Sequence, residues 1–143
     1  MVSDYPVILT YDQNNTIIAQ FPDVPEALTV GNDTESVLER AQDALVVALS
    51  GYVDEQRDIP GASVPEPGQK TVSLPPPTAM KIGIYQTMRD QKITRDILAR
   101  QTGADDRQIR LILDMNHNTD IFHLLRALKC LGKEVVTDIR DAA

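Results

Sequence analysis

Ala27-Leu28-Thr29-Val30-Gly31-Asn32-Asp33-Thr34-Glu35-Ser36-Val37-Leu38 is where one structural period gives way to another. Ala27 to Val30 reads as a short strand, and Gly31-Asn32 stops it. Asp33 and Thr34 are good helix N-caps, and Glu35 places a negative charge in the first turn. From there the apolar residues Val37, Leu38, Ala41, Ala44, Leu45, Ala48, Leu49 and Tyr52 recur in steps of three and four. That spacing predicts one stripe of an amphipathic helix. Glu35, Glu39, Asp43, Asp54 and Glu55 lie off the stripe.

On the N-terminal side, Pro6-Val7-Ile8-Leu9-Thr10-Tyr11 and Thr16-Ile17-Ile18-Ala19-Gln20-Phe21 read as two strands of a hairpin, with Asp12-Gln13-Asn14-Asn15 as the turn. Two prolines stiffen the following loop, Phe21 to Pro25. On the C-terminal side, residues 58–77 hold six of the nine prolines and break the helix. Within them Gln69 to Leu74 alternates as a fourth strand, and Pro75-Pro76-Pro77 reads as a stiff polyproline spacer. The rest is helical by period, with expected helices over Thr78–Gln91, Thr94–Gln101, Asp105–Met115 and Thr119–Leu131. No internal repeat is found. The expected class is α+β, divided into an N-terminal domain over 1–74, a proline linker over 75–77 and an all-α domain over 78–143.

Composition bounds the function. The chain has 143 residues, 42% hydrophobic and 24% charged, which suits a globular core. Aromatics are 4% with no Trp, so that core is aliphatic. One Cys excludes an internal disulfide framework and a Cys-rich zinc site. There is no run of 18 apolar residues for a membrane span. Met1-Val2-Ser3-Asp4 lacks the basic-then-apolar signature of a secretory signal, so a cytoplasmic location is expected.

The net charge of −7 is unevenly shared. Residues 1–77 carry twelve acids against three bases, a net −9, whereas residues 78–143 carry eleven bases against nine acids, a net +2. The first part should repel nucleic acid and attract basic proteins, and the second is able to approach DNA.

Residues 95–114 carry the sharpest constellation. Thr94 caps a short helix containing Leu98 and Ala99; Gly103 follows four residues after Ala99, Ile109 six after that, and Ile112 three further on. This is helix-turn-helix spacing. A small residue sits where two helices cross, a glycine supplies the positive φ of the turn, and two isoleucines plug the second helix into the first. Asp106, Arg107, Gln108 and Arg110 then face outward, where they can enter a major groove. Arg95, on the first helix, joins them as a DNA contact. Thr102 departs from the pattern, which usually buries an aliphatic residue there. Asp105 is explained as an N-cap, while Asp106 either accepts from a cytosine amino group or discourages non-specific binding. The competing reading is a plain four-helix packing unit with no DNA.

Tyr5 to Tyr11, Phe21-Pro22-Asp23-Val24-Pro25-Glu26-Ala27-Leu28-Thr29-Val30-Gly31-Asn32 and the Asp33–Tyr52 helix together resemble the HicB antitoxins of bacterial HicAB toxin–antitoxin systems. Ile93-Thr94, Leu98-Ala99-Arg100, Gly103, Ile109-Arg110 and Leu124 to Gly132 are similar to the Xre-type helix-turn-helix of one HicB branch. The resemblance implies a partial RNase H-like β-β-β-α-β N-domain that masks HicA, a small basic mRNA-cleaving toxin. It also implies operator binding by the C-domain for autorepression. It assigns no toxin-contact residues. A homodimer or homotetramer is expected from operator symmetry and from unpaired sheet edges, and no cofactor is expected.

Other residues have plainer readings. Asp4, Asp12, Asp23 and Asp33 are available carboxylates, yet turn formation and helix capping account for Asp12 and Asp33, and no metal-ligand spacing recurs. An enzyme is therefore not expected. His117 and His123 are six apart, not the three or four of a helical ligand pair, and His117 is expected in a solvated loop or at a phosphate. Cys130 is expected to be a buried small hydrophobe. The alternative function is a transcription regulator gated by a small ligand held in the N-domain, which requires a pocket of convergent polar groups.

Overall fold

The computed structural model describes residues 3–142; Met1, Val2 and Ala143 lie outside the described residues, and with them the first half of the Met1-Val2-Ser3-Asp4 reading. The elements, in chain order, are β1 (Asp4–Pro6), β2 (Ile8–Tyr11), β3 (Ile17–Phe21), β4 (Val24–Gly31), α1 (Thr34–Asp54), β5 (Thr71–Ser73), α2 (Pro76–Gln91), α3 (Arg95–Thr102), α4 (Asp106–Ile112) and α5 (Ile121–Cys130). The class is α+β. The chain divides into two compact units, residues 1–79 and residues 80–143.

The first unit holds both sheets. β2, β3 and β4 form an antiparallel meander, and β1 pairs antiparallel with β5. The single strand expected over Pro6–Tyr11 is thus two, because its halves bond on different sides. Tyr5 stands opposite Val72 in one ladder, Leu9 opposite Ala19 in the other, and between them the Val7 amide donates to the Lys70 carbonyl at 3.0 Å. The expected β-β-β-α-β order is accordingly β-β-β-β-α-β. The third strand is longer than expected, running through Pro25. It is an edge strand, where a proline costs no ladder bond. The fourth shortens to Thr71–Ser73.

Asp33 caps α1 by accepting from the Ser36 amide at 2.8 Å. The helix buries Val37, Ala41, Leu45, Leu49 and Tyr52 and packs on β3, β4 and β5. Each buried Val or Leu contributes about 1.5–3 kcal/mol. Tyr5, Val7, Ile17, Ala19, Phe21, Val24 and Ala27 join this core, which is not purely aliphatic as expected, since Tyr5 and Phe21 are among its largest fully buried side chains. The segment 57–63 lies outside any helix or strand and is held by hydrogen bonds to the sheet unit. The Tyr5 hydroxyl donates to the Pro60 carbonyl at 2.7 Å, and the amide and hydroxyl of Ser63 both donate to the Asp23 carboxylate.

The polyproline spacer expected over 75–77 is absent. Pro76 and Pro77 begin α2, and the Ala79 amide donates to the Pro75 carbonyl at 2.9 Å. A proline in a first helical turn lacks only an amide that would have no helical partner, and its φ is already helical. The division between units accordingly falls inside the first turn of α2, not at 75–77.

The second unit is helical. Ile84, Met88, Leu98, Ile109, Ile112, Leu124, Ala127, Leu128 and Leu131 form its core. α4 stops at Ile112, three residues before the expected end at Met115. A side chain from α2 sits at that end. Lys81 is only 2% exposed, and its ammonium donates to the carbonyls of Leu111 at 2.9 Å, Asp114 at 2.7 Å and His117 at 2.7 Å. It adds a charged donor to the Leu111 carbonyl, which also accepts from the Asp114 amide at 3.2 Å and the Thr119 hydroxyl at 3.3 Å, and gathers the following loop around one charge.

Candidate functional site

Thr94 caps α3 by accepting from the Ile97 amide at 3.3 Å. α3 ends at Gly103, whose φ of 74° and ψ of 13° are left-handed, and the Gly103 amide donates to the Ala99 carbonyl at 2.9 Å. An L side chain resists that conformation, so the turn depends on the glycine. Asp105 then opens α4 with a capping box. It accepts from the Gln108 amide at 2.8 Å, while the Gln108 side-chain oxygen accepts from the Asp105 amide at 3.1 Å. Ile109 and Ile112 are buried against Leu98 and Leu124 in the core, as their spacing requires.

Thr102 is buried at 5% exposure, and its hydroxyl donates to the Leu98 carbonyl at 2.8 Å and accepts from the Ala104 amide at 3.3 Å. A hydroxyl with both roles filled is tolerated at an aliphatic position.

The five residues singled out for DNA fall into distinct states. Arg95 and Arg107 are exposed at the starts of α3 and α4. Asp106 and Arg110 bond each other at 2.8 Å across one helical turn, Arg110 largely in solvent and Asp106 half-buried. Gln108 is exposed, but its oxygen is occupied by the capping box. The sequence did not single out Arg126. Its guanidinium lies 3.8 Å from where a Cβ on Gly103 would stand, so α5 brings a further cation to the α3–α4 turn. Lys81 was likewise missed. The available signal was a lysine directly before Ile82 on a helix whose Ile84, Tyr85 and Met88 are buried.

The first unit offers a different kind of surface. Cross-strand partners share a face, so Ile8, Gln20 and Leu28 form one row of the meander and Thr10, Ile18 and Val30 the next. On this face Ile8, Leu28 and Val30 are 45%, 59% and 47% exposed. Inward, Ala19 and Ile17 are buried.

The carboxylates weighed for nuclease chemistry are each engaged locally. Asp4 accepts from the Ser73 hydroxyl, Asp12 from the Asn14 and Thr16 amides, Asp23 from Ser63 and Asp33 from Ser36. Among the described residues no group of three His, Cys, Asp or Glu is placed to hold a metal ion. His117 is exposed, with Nδ1 2.9 Å from the Thr119 hydroxyl. Cys130 is half-buried, not buried as expected, because its sulfur reaches the Gln101 carbonyl at 3.5 Å instead of the apolar core. No described helix is long and apolar enough to cross a membrane.

An acidic α+β unit with an apolar sheet face, followed by a helical unit built on a left-handed glycine turn, defines a two-unit α+β protein. The family model for the HicB_like antitoxin of bacterial toxin–antitoxin systems matches residues 4–83. Antitoxin HicB 2 of Photorhabdus laumondii is 37% identical over 131 residues, 92% of each chain. Antitoxin HicB 1 of the same organism is 33% identical over 136 residues, 94% of this chain and 86% of the relative. Antitoxin HicB of Escherichia coli K12 is 32% identical over 131 residues, 92% of this chain and 95% of the relative. The chain belongs to the HicB-like antitoxin family.

Proposed function

We propose that this protein neutralises a HicA-type toxin through its first unit and represses its own operon by binding operator DNA through its second. The first unit, taken as a partial RNase H-like fold, supplies the acidic surface, and the apolar rows around Leu28 and Val30 supply the area a covering contact needs. The net −9 on residues 1–77 suits a basic partner built to hold RNA. In the second unit, α3, the Gly103 turn and α4 act as a helix-turn-helix. Arg95, Asp106, Arg107, Gln108 and Arg110 meet the DNA, as a homodimer or homotetramer in the cytoplasm. One observation carries the DNA assignment: the left-handed turn at Gly103, together with buried Ile109 and Ile112, leaves Arg107 and Arg110 outward.

The test is co-expression of the full chain with the small basic protein encoded beside it, read as growth and co-purification, with a promoter-shift assay alongside. Leu28→Lys with Val30→Lys should abolish toxin neutralisation and leave the promoter shift intact. Arg107→Ala with Arg110→Ala should do the reverse. If no toxin gene lies nearby, or if each double variant impairs both activities equally, the reading falls and a ligand-gated regulator takes its place.

A further inference from the structure

In an antiparallel ladder each residue offers its N–H and C=O to one side, and that side alternates along the strand. The Asp12 amide donates to the Thr16 carbonyl at 3.0 Å, so Ile8 and Thr10 bond inward, to β3. Leu9 and Tyr11 therefore turn their N–H and C=O groups away from β3. The Val7 amide points the same way and meets the Lys70 carbonyl. The next rung of that ladder would join Leu9 to Gly68. It is not made, because residues 66–69 close a turn on themselves: the Gln69 amide donates to the Glu66 carbonyl at 2.9 Å, and Gly68 has φ of 78°. A slot of about 480 Å³ opens between β2 and the segment 66–70. Among the described residues no backbone group bonds Leu9 or Tyr11 on this side.

Other strand edges of the unit are guarded. Along β4 stand Pro25 and Glu26, the register is broken between Gln20 and Phe21, and the Arg40 guanidinium donates to the Val30 carbonyl at 3.3 Å. Outside β5 the Gln42 side chain donates to the Ser73 carbonyl at 2.8 Å. Charges, prolines and bulges are the devices that keep an edge from pairing with another chain. Ile8-Leu9-Thr10-Tyr11 carries none of them, and Ile8 and Tyr11 are 45% and 65% exposed.

We propose, resting on the toxin reading above, that β2 is a docking edge to which an extended segment of the basic toxin adds as a further strand, bonded to Leu9 and Tyr11. The groups on offer are main-chain ones at a two-residue spacing, which an extended chain matches and a helix does not. Ile8 shares its face with Leu28 and Val30, so a strand added here continues the apolar surface. The net −9 of residues 1–77, with Glu66 on the far wall of the slot, sets the sign of the partner.

Amide exchange of the full chain, alone and with the small basic protein encoded beside it, reads this edge directly. Alone, Ile8 and Thr10 should exchange slowly and Leu9 and Tyr11 fast. In the complex all four should be slow. Leu9→Pro removes an amide that makes no bond within the chain, and an edge strand tolerates it. It should leave the thermal midpoint and the promoter shift near those of the parent and weaken toxin binding about tenfold. Thr10→Pro, which removes a β3 rung, should instead destabilise the first unit. A complex in which Leu9 and Tyr11 still exchange freely overturns the docking edge and leaves the antitoxin reading standing, as does Leu9→Pro binding as tightly as the parent. Slow exchange of both amides in the protein alone, rising with its concentration, would make a second copy the occupant and also overturn it. If no complex forms at all, both readings fall.

Discussion

Gly31 and Val37 approach so closely that a Cβ on the glycine would stand 2.8 Å from the Val37 Cβ and 2.9 Å from its Cα. The end of β4 and the start of α1 are therefore in direct backbone contact, and a hydrogen is all the space admits. The strand leads into its helix through Asn32 and Asp33 alongside this contact.

Gly31→Ala should cost the first unit about 1–3 kcal/mol, the usual range for overpacking. Val37→Ala should not rescue it, since the clashing atoms are ones that alanine keeps. Thermal melts of the single and double variants check both statements, and an unchanged midpoint for Gly31→Ala would contradict the close contact.

Lys81→Met keeps the length of the side chain and removes the charge. Three carbonyls lose a charged donor at once, although that of Leu111 keeps the Asp114 amide and the Thr119 hydroxyl, so a loss of about 3 kcal/mol is expected. Amide exchange should quicken first around Leu113 to Thr119, the loop those bonds gather. Uniform exchange across the chain would show that Lys81 does not hold this loop.

The two units should respond oppositely to alkali. Burial, reinforced by the Asp23 charge, pushes the Tyr5 hydroxyl from 10.0 up to about 12. Between those values the unfolded chain releases a proton that the folded chain keeps, so stability falls as pH rises, by roughly 2–3 kcal/mol in all. Burial instead lowers the Lys81 pKa below its ordinary 10.5, with the Asp114 charge acting against the shift. Between the lowered value and 10.5 the unfolded chain holds the extra proton, so this group's contribution rises with pH. Tyr5→Phe should flatten the alkaline decline of the first unit while losing its bond to Pro60. A variant that declines as steeply as the parent would place the titration elsewhere.

The Asp106–Arg110 pair predicts an asymmetry in DNA binding. An exposed pair one turn apart contributes only about 0.3–0.5 kcal/mol, so Asp106→Asn should leave the fold intact. It frees a guanidinium and removes a repulsive charge, so non-specific affinity should rise and the salt dependence should steepen. Arg107→Ala should weaken operator binding, by about 1–3 kcal/mol if the contact is bidentate to a base. Titrations of operator and unrelated DNA over a salt series distinguish these outcomes.

Local chemistry made much of this legible in the sequence. Asp33, Thr94 and Asp105 cap helices as their residue types demand, and Gly103 takes the left-handed conformation its place in the turn requires. The Val37–Tyr52 stripe faces the core because helical period and burial are one constraint. Each of these depends on residues within a few positions, so a window of sequence contains the whole argument.

Contacts between distant residues were not legible. Period alone does not show that residues 4–11 bond β5 with one half and β3 with the other, because an extended strand reads the same whichever edge it uses. Nor does it show that Pro76 and Pro77 start a helix, since a proline run fits a spacer and a first helical turn equally well. Gly31 looked like a strand stop until Val37 lay against it. Lys81 looked like one more surface charge until three carbonyls from positions 111 to 117 converged on it. The sequence by itself determined the elements, their caps and the split of charge between the two parts. Tertiary structure alone decided which strand edges pair and where a buried ammonium is compensated, because those energies belong to groups outside one another's local window of sequence and exist only once the chain has closed on itself.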